Sequence, residues 1–468
     1  MITLTLEEIA RAVGGTVHGT SGPVTVTGPV VIDSREVSEG ALFAAIVGAR
    51  SDGHDFAEQV YAAGASAVLG SRPVDGPCVV VDDVVDALTE LAVFVRDRLN
   101  PVVVGLTGSV GKTTTKDLLA QILERNGPTV ATDRSYNNEI GLPLTILRAD
   151  RRTRYLVLEM GAGKPGDITH LMRVARPQLG LVLNVGPAHI MTLGGVEGVA
   201  KAKAELVRAL PPAVKGGFAV LNADDERVVA MARETLAQVM FYGTGQGTTV
   251  RAEDVAVRAE DVTVDSAGHA SFTLLTPSGK APVRLSLPGE HLVANALAAA
   301  AVAGVIGVAI DRIAEALGSA VRRSPNRFQV TDRPDGVTII DDAYNANPVS
   351  MRAALRTAAT MAAGRRRITV FGEMTGQAEE TAYHHSTLGK LVGELGVEIL
   401  VVVGTGEGPE TLAEAARGAG VSVHAVPDRN AATDLVRELL QPTDVVLVKA
   451  SSEAGLSAVA TALRDPEK

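Results

Sequence analysis

The run Thr107-Gly108-Ser109-Val110-Gly111-Lys112-Thr113-Thr114 follows the apolar stretch Val102 to Leu106 and leads into a helical pattern from Thr113 to Asn126. A glycine turn between a buried strand and a helix start aligns backbone N–H groups and the helix N-terminus as a cradle for phosphate. Lys112 adds a point charge for the outer phosphates, and Thr113 a hydroxyl for Mg²⁺. The spacing is a compact T-G-S-x-G-K-T, because Leu106 stands five positions before Gly111. A glycine-rich turn that merely tolerates lysine would leave the agreement of strand, glycines, Lys-Thr and helix unexplained. Gly108 to Thr114 therefore reads as a nucleotide site.

In open parallel sheets, ligands sit beyond the carboxyl ends of the strands. Glu159 closes the apolar strand Tyr155 to Leu158, and His189 lies six residues past Leu179 to Leu183. A carboxylate and an imidazole beside a triphosphate suit Mg²⁺ binding and charge neutralisation. Their ordinary alternatives are a helix cap and a hydrogen-bonded loop histidine. Lys201 and Lys203 alternate with alanines on a helix, a pattern that by itself describes a solvated face. Asp341-Asp342-Ala343-Tyr344-Asn345-Ala346-Asn347-Pro348 ends the strand Val337 to Ile340 where an interdomain cleft would open. That cluster equally suits an Asp/Asn turn and helix N-cap.

The elements that must hold these residues form an α/β pattern. The 468 residues correspond to three domains at about 150 residues each. Helices are expected at Leu6 to Val13, Phe56 to Ala63 and Val84 to Leu99, with strands at Leu42 to Val47, Ala67 to Leu69 and Cys78 to Val81. Asn100-Pro101 breaks the pattern, since the residue before proline is pushed out of the helical region. Continuous apolar strands then follow, as in a parallel sheet covered on both faces. Between Val250 and Pro288 the texture becomes short and alternating, with turns at Ser266-Ala267-Gly268 and Pro277-Ser278-Gly279, which predicts an antiparallel insert or subdomain. A third block begins at Ser324-Pro325, with strands at 338–340, 368–371, 399–403, 421–425 and 445–448. The predicted domains are 1–99, 100–323 and 324–468.

Composition narrows the partners. Lys+Arg 44 minus Asp+Glu 54 gives a net charge of -10, so neither nucleic acid nor an anionic membrane is the expected partner. The single cysteine, Cys78, excludes an intrachain disulfide and a cysteine metal cluster. The N-terminus has no cationic segment and meets acid at Glu7, unlike a signal peptide. Val293 to Ile310 is apolar apart from Asn295, but it is short and rich in Ala, Val and Gly, so a buried helix is expected. The chain reads as a cytoplasmic protein without membrane insertion.

Together these motifs resemble the Mur ligases, the ATP-dependent amide-forming enzymes of peptidoglycan precursor synthesis. The resemblance spans nearly the whole chain. It rests on Asp33-Ser34-Arg35, Asp52-Gly53-His54-Asp55-Phe56, the Thr107–Thr115 loop, Glu159-Met160-Gly161, Ala188-His189, Ala202-Lys203, Asn295-Ala296-Leu297 and the Asp341–Pro348 run. Asn137-Asn138-Glu139-Ile140-Gly141-Leu142-Pro143 and Tyr344-Asn345-Ala346-Asn347-Pro348 resemble the branch that adds D-alanyl-D-alanine to UDP-N-acetylmuramoyl-tripeptide, whose third residue is a diamino acid. No Asp-Asn-Pro-Arg, the mark of the diamino-acid-adding branch, occurs.

The resemblance implies a small N-terminal α/β domain for the UDP-muramoyl-peptide, a central P-loop domain for ATP, a Rossmann-like C-terminal domain, and a monomer. It implies ATP and Mg²⁺ as cofactors, with Thr113, Glu159, His189 and a carbamate on Lys203 as metal ligands. Lys112, Glu159, His189 and Lys203 would be catalytic. Asn295 and Asp342 would contact adenosine, and Arg327 phosphate. Ser34 and Arg35 would contact the UDP portion, Asn137 and Asn138 the muramoyl-peptide, with Tyr344 and Asn345 also on the substrate side. The chain departs from the family pattern at Gly163-Lys164, at Asn326 within Pro325-Asn326-Arg327, and at Lys449-Ala450-Ser451-Ser452. The competing readings are a diamino-acid-adding Mur ligase or folylpolyglutamate synthase on the same scaffold, and a P-loop switch that ligates nothing.

Overall fold

A computed structural model describes residues 1–133, 135–187, 190–245, 250–377 and 380–465. The first block contains β1 (Leu4–Thr5), β2 (Thr16–His18), β3 (Thr25–Val26), β4 (Val30–Val31), β5 (Leu42–Ala44), β6 (Ala67–Gly70) and β7 (Cys78–Val80). Its helices are α1 (Leu6–Val13), α2 (Ala57–Ala62) and α3 (Val84–Leu99). The main sheet runs β2-β7-β6-β5-β4, parallel except for β2. Local chemistry sets the helix ends. Thr5 and Glu8 form a reciprocal capping box at the start of α1, which stops at Gly14. The Asp83 side chain accepts from the amides of Val85 and Asp86 to open α3, and left-handed Asn100 before Pro101 closes it.

The central block has β8 (Val102–Thr107), β9 (Thr129–Ala131), β10 (Tyr155–Glu159), β11 (Leu179–Val182), β12 (Phe218–Asn222), β13 (Gln238–Gly243), β14 (Val255–Val264), β15 (His269–Thr276) and β16 (Gly279–Pro288). Its helices are α4 (Lys112–Glu124), α5 (Gly141–Leu147), α6 (Asp167–Ala175), α7 (Ile190–Leu193), α8 (Gly195–Arg208), α9 (Glu226–Ala230), α10 (Leu292–Ile306) and α11 (Ile310–Gly318). All nine strands make one sheet, ordered β16-β15-β14-β13-β12-β11-β8-β10-β9. The segment expected as an insert or subdomain is therefore part of the main sheet: β14 pairs parallel with β13, and only β15 runs against the other strands, antiparallel to both β14 and β16. Alternation along β14 to β16 arises because one face packs on α10 and α11 while the other meets solvent. The apolar stretch at 293–310 is a buried helix, as expected, but it ends at Gly307 and a new helix starts at Ile310.

The third block has β17 (Gln329–Asp332), β18 (Thr338–Asp341), β19 (Arg367–Phe371), β20 (Ile399–Val403), β21 (Ser422–Val426) and β22 (Val445–Lys449). Its helices are α12 (Pro348–Ala362), α13 (Thr381–Glu394), α14 (Glu407–Gly418), α15 (Arg429–Leu439) and α16 (Ser457–Arg464). The order β17-β18-β22-β19-β20-β21 is parallel apart from β17, an edge strand that the sequence pattern did not reveal. The strand expected to reach Val47 stops at Ala44, and Val47 is exposed.

The three blocks do not join alike. Helix α3 packs against α5 and α6, and one continuous apolar core runs from Leu6 and Leu88 through to Leu142, Leu156 and Ile168. Buried Arg96 of α3 donates to the carbonyl of Val174 at the end of α6. The third block instead keeps its own apolar clusters on the two faces of its sheet. Its junction with the central block carries side-chain hydrogen bonds: the Ser324 amide to Asp117, Arg327 to Thr113 Oγ1, and Thr357 with His291. Among the described residues no helix is long and apolar enough to cross a membrane.

Candidate active site

Strand β8 delivers the glycine turn, and two asparagines from other elements brace it. Asn295, on α10, donates to the Gly111 carbonyl and to Thr115 Oγ1, both at 3.0 Å. Gly111 has φ +84°, and a Cβ there would stand 2.6 Å from Asn295 Nδ2, so close approach and a left-handed backbone both demand glycine. Asn184, just past β11, accepts from the amides of Ser109 at 3.0 Å and Val110 at 2.8 Å. Those two amides are thereby engaged within the protein. The first turn of α4, from Lys112 to Thr114, keeps amides without intrahelical acceptors, which is where a phosphate oxygen would be received. Lys112 Nζ donates to the Gly108 carbonyl at 2.9 Å. Burial pulls its pKa down, Arg327 adds to that, and Glu159 opposes both.

Glu159 is buried at the end of β10. One of its oxygens accepts from Thr113 Oγ1 at 2.9 Å and the other from Asn137 Nδ2 at 2.7 Å. Across the interdomain cleft, Arg327 donates to Thr113 Oγ1 at 3.3 Å and lies 3.9 Å over the Tyr344 ring. Asp342 accepts from the Phe328 amide at 2.9 Å and pairs with Lys449 at 2.7 Å, while Lys449 also donates to the Asn345 carbonyl at 2.7 Å. A cavity of about 380 Å³ collects Ser109 to Thr114, Glu159, Asn295, Arg327, Asp342, Tyr344 and Asn345. Most of the expected nucleotide residues thus meet in one place.

The donor set suits a nucleotide–Mg²⁺ pair. The Thr113 hydroxyl and the Glu159 carboxylate offer oxygen, the ligand Mg²⁺ prefers, and each Glu159 oxygen retains a lone pair beyond its one hydrogen bond. Among the described residues no group of three or more His, Cys, Asp or Glu side chains is arranged around a metal. His189 lies outside the described residues.

Lys203 is buried on α8 and lines a second cavity of about 710 Å³ with Gly108, Lys112, Asn137 and Asn138. Lys201 is exposed. Among the described residues Lys203 makes no pairing of the kind a surface lysine would make: Glu205 accepts from Gly166 and Thr169, and Glu197 from Arg227. Burial, with the Lys112 charge second, pushes the Lys203 pKa down to about 7. Ser34 and Arg35 follow β4 at the carboxyl edge of the first sheet, where Arg35 pairs with Asp33 at 2.6 Å. They do not line either cavity at the phosphate loop.

Three family models match the chain in succession: "Mur ligase family, catalytic domain" over residues 29–103, "Mur ligase middle domain" over 106–303 and "Mur ligase, glutamate ligase domain" over 326–452. A curated relative from Mycobacterium tuberculosis, UDP-N-acetylmuramoyl-tripeptide–D-alanyl-D-alanine ligase, is 44% identical, covering 99% of this chain and 98% of its own. The chain belongs to the Mur ligase family. Among solved Mur ligases, a MurF from Acinetobacter baumannii superposes with a TM-score of 0.84 at 30% identity, covering 100% of this chain and 99% of its own. MurF from Thermotoga maritima in complex with ADP gives 0.78 at 28% identity, covering 94% and 98%.

Sequence reasoning missed several residues that this Mur ligase brings to the cleft. Asn184 carried one usable signal, as the first polar residue after a fully buried parallel strand. His291, Arg322 and Lys449 also line the nucleotide cavity. Burial pushes His291 down to about 4, and Arg322 Nη2 is buried without a partner among the described residues. Their role in the cleft depends on which domain faces which, a relation that no local pattern encodes.

Proposed function

We propose that this Mur ligase joins D-alanyl-D-alanine to UDP-N-acetylmuramoyl-tripeptide at the expense of ATP, in peptidoglycan precursor synthesis. The observation that carries this reading is the end-to-end likeness, at 44% identity, to a ligase bearing that name. The geometry supports it: the cavity at the phosphate loop and a second cavity share Lys112, and a cation from another domain reaches the adjacent Thr113.

In this reaction an oxygen of the tripeptide's terminal carboxylate attacks the γ-phosphorus of ATP, giving an acyl phosphate and ADP. The dipeptide amine then adds to the acyl carbon. The tetrahedral intermediate loses phosphate and a proton, leaving the amide. No protein nucleophile is needed; positioning and charge neutralisation do the work. Gly108 to Thr114 hold the phosphates, with Asn295 bracing the loop, and Lys112 and Arg327 offset the charge that develops on the transferred group. Asp342 sits on the adenosine side, and Asn137, Asn138, Tyr344 and Asn345 face the substrate. Ser34 and Arg35 hold the UDP portion, and the units 1–99, 100–323 and 324–468 carry muramoyl-peptide, ATP and closure respectively. Thr113, Glu159, His189 and a carbamate on Lys203 are the groups that would hold Mg²⁺, which when bound neutralises phosphate charge. The enzyme acts in the cytoplasm as a monomer.

The test supplies ATP, Mg²⁺ and the UDP-muramoyl-tripeptide with single amines and weighs the product. Phosphate release should require D-alanyl-D-alanine, and the product should gain the dipeptide's mass less one water. Better turnover of a free diamino acid on a UDP-muramoyl-dipeptide would move the chain to another branch of the family.

A further inference from the structure

A third cavity, of about 400 Å³, adjoins the nucleotide cavity and shares His291, Ala294, Val349 and Ala353 with it. None of the phosphate-loop residues Ser109 to Thr114 lines it. One wall is formed by β14, the turn at Gly268 and the start of α10; the other is the face of α12 that carries Arg352, Arg356 and Thr360. The central and third blocks touch at two points around it. At the turn, a Cβ on Gly268 would stand 3.0 Å from Met361 Cγ of α12. At the wall shared with the nucleotide cavity, Thr357 Oγ1 lies 3.5 Å from His291 Nδ1. The cavity is thus a feature of the junction between the two blocks.

Its lining has an apolar part and a cationic part. Val262 on β14 and Val349 on α12 stand on different walls and leave 40% and 48% of their surface exposed. Val264 and Val293 extend that apolar surface. Arg352 and Arg356 stand one turn apart on α12, both exposed, and neither guanidinium makes an ion pair or hydrogen bond among the described residues. Like charges four residues apart on a helix disfavour each other, so this pair costs stability as it stands. Elsewhere in the same block Arg333, Arg366, Arg367 and Arg464 are each held by a carboxylate. Glu290 is the one carboxylate of the lining, and it pairs with neither arginine. Apolar side chains left open on two walls, beside two unpaired guanidiniums, make up a ligand site better than a solvated helix face.

We propose that this cavity binds a small amphipathic anion, an apolar ring or chain bearing one anionic group, and that its binding strengthens nucleotide binding next door. The apolar body lies between Val262 and Val349, and the anionic group meets Arg352 and Arg356. Glu290 repels the anion from the α10 wall and so fixes which way round the ligand sits. A ligand held in this manner touches both blocks. It therefore favours the arrangement in which Arg327 of the third block reaches Thr113 Oγ1 beside the phosphate loop. Such coupling is reciprocal: whatever the anion does for nucleotide affinity, the nucleotide does for the anion. The inference does not depend on which amine the ligase joins.

The experiment titrates the full chain with anilinonaphthalene sulfonate, an apolar ring system carrying one anion, and with N-phenylnaphthylamine, the same rings without it. Fluorescence should report one saturable site per chain for the sulfonate, at least ~10-fold tighter than for the neutral dye. Saturating sulfonate should lower the Kd for ADP at least ~5-fold, and saturating ADP should tighten the sulfonate by the same factor. Arg352→Gln combined with Arg356→Gln should abolish both the charge preference and the coupling, while ATP turnover without dye stays unchanged. Glu290→Gln should tighten the sulfonate about 3-fold, a gain that partial unfolding cannot imitate. Equal binding of the two dyes, or a charge preference that survives the double arginine substitution, overturns the site. Competition between sulfonate and ADP, or an ADP affinity that the sulfonate leaves unchanged, overturns the coupling and with it the proposal.

Discussion

At the residue scale, Lys203 is the most unusual group in the molecule: a buried amine facing a second lysine, with no carboxylate paired to it among the described residues. Its amine titrates near 7 in the folded chain and near 10.5 when unfolded. Between those values the unfolded chain binds one more proton, so stability rises as pH climbs from about 7 toward 10.5 and is flat in this respect below 7. In CO₂-free buffer the wild type should therefore gain, relative to Lys203→Met, about 1 kcal/mol per pH unit across that window, read by denaturant melts. Parallel pH profiles for the two proteins would contradict a buried neutral amine. A neutral amine is also what carbamate formation needs. Lys203→Ala should accordingly lose at least ~100-fold in turnover and recover part of it with a short-chain carboxylic acid. Full activity without the acid would remove the carbamate.

At the scale of elements, the linker into the third block holds two non-glycine residues in the left-handed region, Asn326 at φ +58° and Phe328 at φ +55°. The Asp342 side chain holds the Phe328 amide, and Asn326 bonds Ser457 and, at 3.4 Å, Asp341, so the strand end at β18 fixes the strained turn. Asparagine tolerates this conformation better than other side chains apart from glycine, so it can stand at this left-handed position. Both Asn326→Gly and Asn326→Ala lose the side-chain bonds, but only alanine also bears the backbone cost. Alanine should be about 1 kcal/mol less stable than glycine by thermal melts. Equal stability would mean the turn relaxes.

Much of this level was legible in the sequence. Leu6–Val13 and Val84–Leu99 form as the pattern predicts, because Thr5, Gly14, Asp83 and Asn100 supply local end signals. The phosphate loop was legible because strand, turn and helix signals coincide within about a dozen residues. What escaped was non-local. Nothing near Val255 says that β14 will pair parallel with β13, nor does Gln329–Asp332 announce itself as an edge strand.

At the scale of the whole molecule, the three blocks are joined by junctions of different kinds. A shared apolar core welds the first block to the central one, whereas the third keeps its own apolar clusters and meets the central block through side-chain hydrogen bonds. Breaking the first junction would expose core, so it costs far more than breaking the second. Labels placed on the exposed faces of α3 and α8 should keep their separation when ATP analogue and muramoyl substrate are added, while labels on α8 and α14 should approach. Movement within the first pair alone would reverse this assignment. The nine-stranded sheet has a further consequence, for behaviour in concentrated solution. Its terminal strand β16 reads Gly279-Lys280-Ala281-Pro282-Val283-Arg284, with Lys280, Pro282 and Arg284 on the exposed side, and Pro288 at its end. Two prolines bring no amide hydrogen, and Lys280 sets a charge against a copy of the same edge, while Arg284 is held by Asp265. A sheet this wide would otherwise invite a neighbouring chain to add a tenth strand; its last strand is written so that self-templated growth stops with the molecule.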